Sequence, residues 1–192
     1  MLTSNAVLAL ILTVAAPPGR SAHSRVEVAP DTYRLETRAE GLDRYRIVAR
    51  AIAEASKGNL RMARILVTIA EHESSFRRDI HSCEKLGDRG HSYSVFQIRY
   101  GKKSKRGAAI CGLDYDSTLR AARAAAKHVG RTSGQLCSSG PSCVAAFIRY
   151  SGLPRIVATT DPRYASKIAA RARTYAATAT PLPLPVWATL DG

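Results

Sequence analysis

A glutamate at residue 73 lies where the sequence predicts the buried face of a helix. At roughly 100° per residue, four apolar residues before it share one side of that helix. They are Met62, Ile65, Leu66 and Ile69. Glu73 falls within this stripe, whereas Glu71 is predicted to point to nearly the opposite side. A carboxyl group on a buried stripe is unfavourable unless it stays protonated or meets a partner.

Two interpretations of Glu73 follow from this position. A carboxylic acid that stays protonated near neutral pH is the proton donor that glycoside-cleaving enzymes need. The structural alternative is a helix-end glutamate that turns back to solvent or pairs with an arginine of this basic chain. Periodicity alone favours the structural alternative, so the choice depends on the rest of the sequence.

Length, charge and composition limit the classes of function. The chain has 192 residues and a formal net charge of +14. This length fits one domain with tails, and the charge predicts a polyanionic neighbour. Nucleic acid, anionic phospholipid and the anionic polymers of a bacterial envelope all qualify.

The N-terminal region predicts export. Residues 6–16 are apolar except for Thr13, and a Pro-Pro-Gly turn and small residues follow. This run is too short to span a bilayer and has the length of a signal-peptide core, although no Lys or Arg precedes it. We therefore expect residues 1–24 to be a signal peptide and the mature protein to be periplasmic or extracellular.

The cysteines are consistent with an exported protein. Cys83, Cys111, Cys137 and Cys143 are even in number and contain no Cys-x-x-Cys pair. We expect a small disulfide loop from Cys137 to Cys143 and a second bond from Cys83 to Cys111, although the spacing leaves three pairings open.

No metal or other cofactor is expected. A zinc-protease helix needs a second histidine where Phe76 stands after His72-Glu73. His81 and His91 flank Cys83 without a recognised zinc spacing.

Helical spacing predicts a mainly α domain over residues 35–177. Residues 25–34 are interpreted as a flexible lead-in. The first helix should run from about residue 35 to Ser56, and Asn59 should cap the helix that carries Glu73. A long loop over residues 77–114 is expected to be functional and to contain at most a short hairpin.

The second half of the chain predicts three more helices. Asp116 is a good N-cap for an alanine-rich helix that should end near Gly130. A short helix is predicted at residues 142–150, and Asp161-Pro162 should begin the last one. Residues 178–192 are rich in proline and predict an extended tail.

Three separated segments, taken together, resemble the lysozyme-like domain of soluble lytic transglycosylases and goose-type lysozymes. They are Glu73-Ser74-Ser75-Phe76, the Gly/Ser-rich loop at 87–98 ending in Phe96-Gln97-Ile98, and Tyr150-Ser151-Gly152. Tyr164 resembles a fourth landmark, a tyrosine that opens a late helix. The resemblance covers about residues 45–176 and implies a lysozyme-like helical domain with a long active-site loop.

The resemblance assigns roles to particular residues. Glu73 would protonate the glycosidic oxygen between N-acetylmuramic acid and N-acetylglucosamine and would then act as a base on the muramic acid 6-hydroxyl. The product is a 1,6-anhydromuramic end. Gln97 would bind an acetamido group, Tyr150 would steady Glu73, and Ser74 would line the cleft or orient Glu73. Tyr164 is assigned mainly to the core.

Departures from the family concern the loop and the third segment. The family usually has Gly where Ser94 stands, often Met where Phe96 stands, and commonly Asn where Ser151 stands. Ser94 is therefore expected to alter the shape of the loop, and Phe96 to narrow the cleft.

Asp88 is a candidate second acid, because it lies in the functional loop and could activate water in an inverting hydrolase. Its alternative role is in a turn, where Arg89 would neutralise it.

Competing classes of function remain open. The basic run from Lys102 to Arg106 motivates a nucleic-acid-binding module, but no helix-turn-helix or stacking-aromatic motif accompanies it, so no nucleic acid is expected. A non-catalytic glycan-binding descendant of the fold is a second alternative. We expect a monomer that acts on peptidoglycan glycan strands, with anionic envelope polymers as further partners.

Overall fold

The computed structural model describes residues 2–15, 17 and 24–133, and this part of the chain is mainly helical, as predicted. Its helices are α1 (Ser4–Val14), α2 (Arg38–Ala55), α3 (Leu60–Ser74), α4 (Arg78–His81), α5 (Lys105–Ala108) and α6 (Tyr115–Ser133). The described region also contains two antiparallel hairpins. One is formed by β1 (Arg25–Ala29) and β2 (Thr32–Leu35), and the other by β3 (Ser92–Tyr93) and β4 (Ile98–Arg99).

Helix α2 begins at a capping box that the sequence analysis did not identify. The Thr37 side chain accepts a hydrogen bond from the Glu40 backbone N–H, and the Glu40 carboxylate accepts one from the Thr37 backbone N–H. This reciprocal arrangement satisfies two of the free donors at the helix start. The predicted end of the helix is confirmed, since Ser56 is its C-cap.

Helix α3 is the central helix of the described region. Asn59 caps it as predicted, because its side chain accepts from the Met62 backbone N–H at 3.0 Å. Residues 66–70 are all buried, so neighbouring elements cover this helix on more than one side. The one-sided stripe expected from the sequence is therefore too simple, because helices α1, α2 and α6 all pack against α3.

The apolar run at residues 6–16 forms most of helix α1. This helix packs on α2 and α3, and the side chains of Val7 and Ile11 are fully buried. Among the described residues, no helix is long and apolar enough to cross a membrane. Export and the cleavage of residues 1–24 stay predictions.

Residues 25–34, interpreted from the sequence as a flexible lead-in, form most of the β1–β2 hairpin. Arg25 pairs with Leu35 and Glu27 with Tyr33, and Asp31 adopts a left-handed conformation in the turn. The Pro30-Asp31 dipeptide between two runs of alternating Val, Tyr and Leu was the signal for this hairpin.

The long loop at residues 77–114 contains α4, a single 3₁₀ turn at Asp88–Gly90, the short β3–β4 hairpin and α5. A disulfide joins Cys83 to Cys111, with 5.4 Å between the Cα atoms. This is the pairing that the sequence analysis favoured. Cys137 and Cys143 lie outside the described residues.

Helix α6 begins two residues earlier than expected. Asp114, rather than Asp116, is the cap, because its carboxylate accepts from the Ser117 backbone N–H at 2.9 Å. The helix also continues past Gly130 to Ser133. The predicted helices at 142–150 and after Asp161 lie outside the described residues.

Candidate active site

Glu73 lies in the last turn of α3 and is half-buried. Its Oε1 atom is removed from solvent, while part of the residue stays accessible. Glu71, two residues earlier, is also half-buried, and burial raises the pKa of its carboxyl group. The end of α3 therefore presents two partly desolvated carboxyl groups, of which the sequence analysis identified one.

Ser74 closes the helix that carries Glu73. Its hydroxyl donates to the Ala70 carbonyl at 2.7 Å and accepts from the Phe76 backbone N–H at 3.2 Å. The residue is buried. Its hydroxyl, which was predicted to line the cleft or orient Glu73, is therefore bonded to the backbone instead. In this geometry the Ser74 hydroxyl is bonded to the backbone on both sides of the helix end.

The turn after Glu73 has an unusual backbone. Ser75 and Phe76 both adopt left-handed conformations, with φ of 49° and 50°. Two successive non-glycine residues in this region are unfavourable by themselves and need support from surrounding contacts. The Phe76 side chain supplies part of that support, since it is buried with its ring centroid 5.5 Å from that of Tyr45.

A buried ion pair supplies the rest of the support. The Arg44 guanidinium binds both carboxylate oxygens of Glu36 at 2.8 Å, and its third nitrogen donates to the Phe76 carbonyl at 2.5 Å. Both charged side chains are only 3% exposed. The pair therefore ties α2 to the turn that ends the Glu73 helix. The sequence analysis did not identify it, because the partners are far apart in the chain.

Ser94 and Gln97 lie together in the turn of the β3–β4 hairpin. Both adopt left-handed conformations, and the Gln97 side-chain amide donates to the Ser94 carbonyl at 3.0 Å. A Cβ atom on Gly87 would lie 1.6 Å from the Gln97 Oε1, so this packing requires glycine at position 87. Gln97 is half-buried, and its predicted contact with an acetamido group stays a prediction.

Ser94 is fully buried, with φ of 64°, and within the described region its hydroxyl has no hydrogen-bond partner. A left-handed backbone favours glycine, so the serine at this position is unfavourable for the backbone. Phe96, beside it, is fully buried in the core and forms part of the same apolar cluster as Phe76 and Ile69.

Ser94→Gly should stabilise the protein by about 1 kcal/mol. The substitution removes a left-handed side chain and an unsatisfied hydroxyl, and the extra backbone entropy of glycine offsets part of the gain. Ser75→Gly is the matched control, because Ser75 has a similar φ but is exposed. Urea unfolding of both variants checks the prediction, which a destabilised Ser94→Gly protein would contradict.

Asp88 lies on the surface in the 3₁₀ turn, with φ of 47°. Its carboxylate is 3.4 Å from Arg99 Nε, and both side chains are at least half exposed. The ion pair therefore involves Arg99 on β4, whereas the sequence analysis expected Arg89 to neutralise Asp88.

His81, the last residue of α4, is fully buried. The Thr118 hydroxyl donates to the Asp114 carbonyl at 2.7 Å, so it accepts from His81 Nε2 at 2.9 Å. This hydrogen-bond pattern assigns the proton to Nε2 in a neutral ring. Burial, with a contribution from the charge of Arg44, lowers the pKa of His81 to about 3.

The stability of the protein should therefore fall as the pH drops from 6.5 towards 3. In this window the unfolded chain binds a proton at His81 and the folded chain does not, so stability changes by up to about 1.4 kcal/mol per pH unit from this residue. His81→Gln keeps a donor for Thr118 but does not titrate. The difference in unfolding free energy between the two proteins should grow with pH up to about 6.5 and then stay constant, and a flat difference would contradict the assignment.

The described site residues lie in two elements, and the other predicted site residues are not described. Glu73 and Ser74 share the end of α3, while Ser94, Gln97 and Asp88 share the loop. Tyr150, Ser151 and Tyr164 lie outside the described residues. Within the described part of the chain, no group of three His, Cys, Asp or Glu residues could hold a metal ion.

Comparisons of the chain with protein-family models, with curated proteins and with solved structures found no match.

Proposed function

We propose that this protein cleaves the β-1,4 bond between N-acetylmuramic acid and N-acetylglucosamine in peptidoglycan, as a lytic transglycosylase of the lysozyme-like class. The observation that carries the proposal is the position of Glu73. Its half-buried carboxyl group lies in the last turn of α3, with one oxygen removed from solvent and part of the residue accessible. A general acid for glycoside cleavage needs such a partly desolvated carboxyl group beside an open surface.

The backbone around the site supports the proposal. Eight of the ten non-glycine residues with positive φ in the described region lie between Ser75 and Lys103. Unfavourable backbone conformations persist only where other contacts fix them, and they concentrate at functional sites. Two such contacts are the Arg44 hydrogen bond at one end of this segment and the disulfide that joins Cys83, within it, to Cys111.

The proposed reaction requires one enzymic carboxyl group. Glu73 gives its proton to the glycosidic oxygen, the bond from that oxygen to the muramic acid C1 breaks, and the N-acetylglucosamine 4-hydroxyl leaves. The Glu73 carboxylate then takes the proton of the muramic acid 6-hydroxyl, whose oxygen bonds to C1. The acid is restored, and a 1,6-anhydro ring forms without water.

Hydrolysis of the same bond is the second candidate, because Asp88 lies in the loop that also carries Gln97. In an inverting hydrolase a second carboxylate must hold and activate a water molecule. Asp88 is exposed and forms an ion pair with Arg99, so its carboxylate is drawn towards a cation on the surface of the hairpin. This arrangement favours the mechanism with one carboxyl group.

Mass spectrometry of muropeptides released from purified peptidoglycan tests the proposal. Anhydromuramic ends are expected among the released muropeptides. The fraction of muropeptides with such ends should be the same in Asp88→Asn as in the wild type. Asp116→Asn on α6 is the control, because it also removes one surface carboxylate. Reducing ends that disappear in Asp88→Asn would establish the hydrolase instead. No release by folded wild-type protein, together with retained glycan binding, would favour the non-catalytic alternative.

A further inference from the structure

Residues 89–113, which include Gln97, form a segment whose charges are all positive. It contains none of the chain's 15 Asp and Glu residues. Six exposed cations lie in it, and we name them the hairpin cations: Arg89, Arg99, Lys102, Lys103, Lys105 and Arg106. Within the described part of the chain, Arg99 is the one hairpin cation with an ion-pair partner, Asp88.

The turn that presents the lysines is held in place. The Tyr93 hydroxyl donates to the Gly101 carbonyl at 2.8 Å and accepts from the Ser104 backbone N–H at 3.2 Å, so it clamps both ends of the Lys102-Lys103 turn. Gly107 of α5 packs so closely on the Tyr93 ring that a Cβ atom there would lie within 2.5 Å of it. These contacts fix the backbone beneath the cations.

The position of this surface relates it to the substrate. Lys102 packs against the 3₁₀ turn at Asp88–Gly90, since its Cγ lies 3.9 Å from where a Cβ of Gly90 would be. Arg99 follows Gln97 by two residues on the same hairpin. A strand bound at Gln97 would therefore pass exposed cations, most of which have no ion-pair partner among the described residues.

We propose that the hairpin cations bind the anionic groups of the cell wall and hold the wall polymer beside the proposed active site. This inference rests on the proposed function. The hairpin cations are separate point charges on short elements, since α5 has only four residues. Among the described residues, Tyr100 is the one large exposed aromatic side chain in this segment. Nucleic-acid binders use helices that enter a groove or aromatic side chains that stack on bases. The described residues of this segment form neither arrangement, which favours a wall polymer.

Binding to purified sacculi tests this inference without turnover. All variants are made in the Glu73→Gln protein, which is the parent. Their binding to sacculi is measured by pelleting at a series of NaCl concentrations. K102Q/K103Q should bind at least about tenfold more weakly at low salt, because each cation near an anionic surface contributes substantially to binding. The difference in binding between K102Q/K103Q and its parent should become smaller as salt screens the charges.

The matched control is K57Q/K127Q, which removes the same charge from exposed positions elsewhere. Lys57 has a φ of 48°, close to the 54° of Lys103, so the backbone strain is also matched. We expect this control to bind within about twofold of its parent, since Lys57 follows the end of α2 and Lys127 lies on α6. Equal losses in the two double variants would overturn the inference.

Two treatments of the sacculi identify the anion. Hydrofluoric acid removes phosphodiester-linked polymers, and carbodiimide amidation blocks the carboxylates of the peptidoglycan. The binding that depends on Lys102 and Lys103 is the difference between the parent and K102Q/K103Q. Loss of this difference after either treatment supports the inference and shows whether phosphate or carboxylate is the anion. Tighter binding of the parent protein to duplex DNA or to anionic phospholipid vesicles than to sacculi would overturn it.

The inference and the proposed function can fail separately. If sacculi binding does not depend on the hairpin cations while wild-type protein still releases muropeptides, only the inference is wrong. If the cation-dependent binding is found but folded wild-type protein releases no muropeptides, the proposed function is wrong and the wall-binding surface stands.

Discussion

Replacing Glu73 with glutamine should lower muropeptide release by about 10²- to 10⁴-fold, the contribution typical of a general acid or base. Glutamine keeps the size of the side chain and removes its ability to give and take a proton. The initial rate of release from purified peptidoglycan is the measurement.

Glu71→Gln is the matched control for this prediction. Glu71 lies on the same helix end, is also half-buried, and has a pKa raised by burial. We expect its replacement to leave the rate within about threefold of wild type, because Glu71 gives and takes no proton in the proposed reaction and glutamine keeps the size of its side chain.

The comparison has three informative outcomes. Loss of activity in Glu73→Gln alone supports the assignment. Loss in Glu71→Gln alone would identify Glu71 as the acid and would contradict the prediction made from helical periodicity. Unchanged release in both variants would show that neither carboxyl group is catalytic. Unfolding midpoints of the three proteins establish whether a lost activity reflects the chemistry or the fold.

Local signals in the sequence predicted much of the fold. The cap at Asn59, the end of α2 at Ser56 and the mainly helical character of the described region are confirmed. Each depends on residues within a few positions of one another, where capping and periodicity operate. The hairpin at residues 25–35 was missed because its alternating residues are nearly all exposed and form no buried face.

Long-range contacts explain what the sequence could not predict at the candidate site. Periodicity places Glu71 opposite Glu73 on an isolated helix, but it contains no information about the elements that cover α3 from several sides. The Arg44 pair joins positions separated by 8 and 32 residues, so its burial depends on the finished fold. Tyr150, Ser151 and Tyr164, which the resemblance assigned to the site, stay predictions.

Arg44→Met should destabilise the protein by about 3–5 kcal/mol, the range found when one partner of a buried ion pair is removed. The substitution leaves the Glu36 carboxylate buried without its cation and the Phe76 carbonyl without its donor. Arg46→Met is the matched control on the same helix. Arg46 pairs with Asp43 on the surface, where both side chains are more than 60% exposed, so its loss should change stability by less than about 1 kcal/mol.

A double variant separates the charge of Glu36 from the support given to the turn. In Arg44→Met/Glu36→Leu no buried charge is left unpaired, so most of the lost stability should return. The Phe76 carbonyl still lacks its donor in this variant, and the left-handed turn after Glu73 loses the contact that fixes it. We therefore expect muropeptide release to stay below the wild-type rate even where urea unfolding shows a folded protein. Full recovery of both stability and release would mean that the ion pair does not position Glu73, and equal effects of Arg44→Met and Arg46→Met would mean that the pair is not buried in solution.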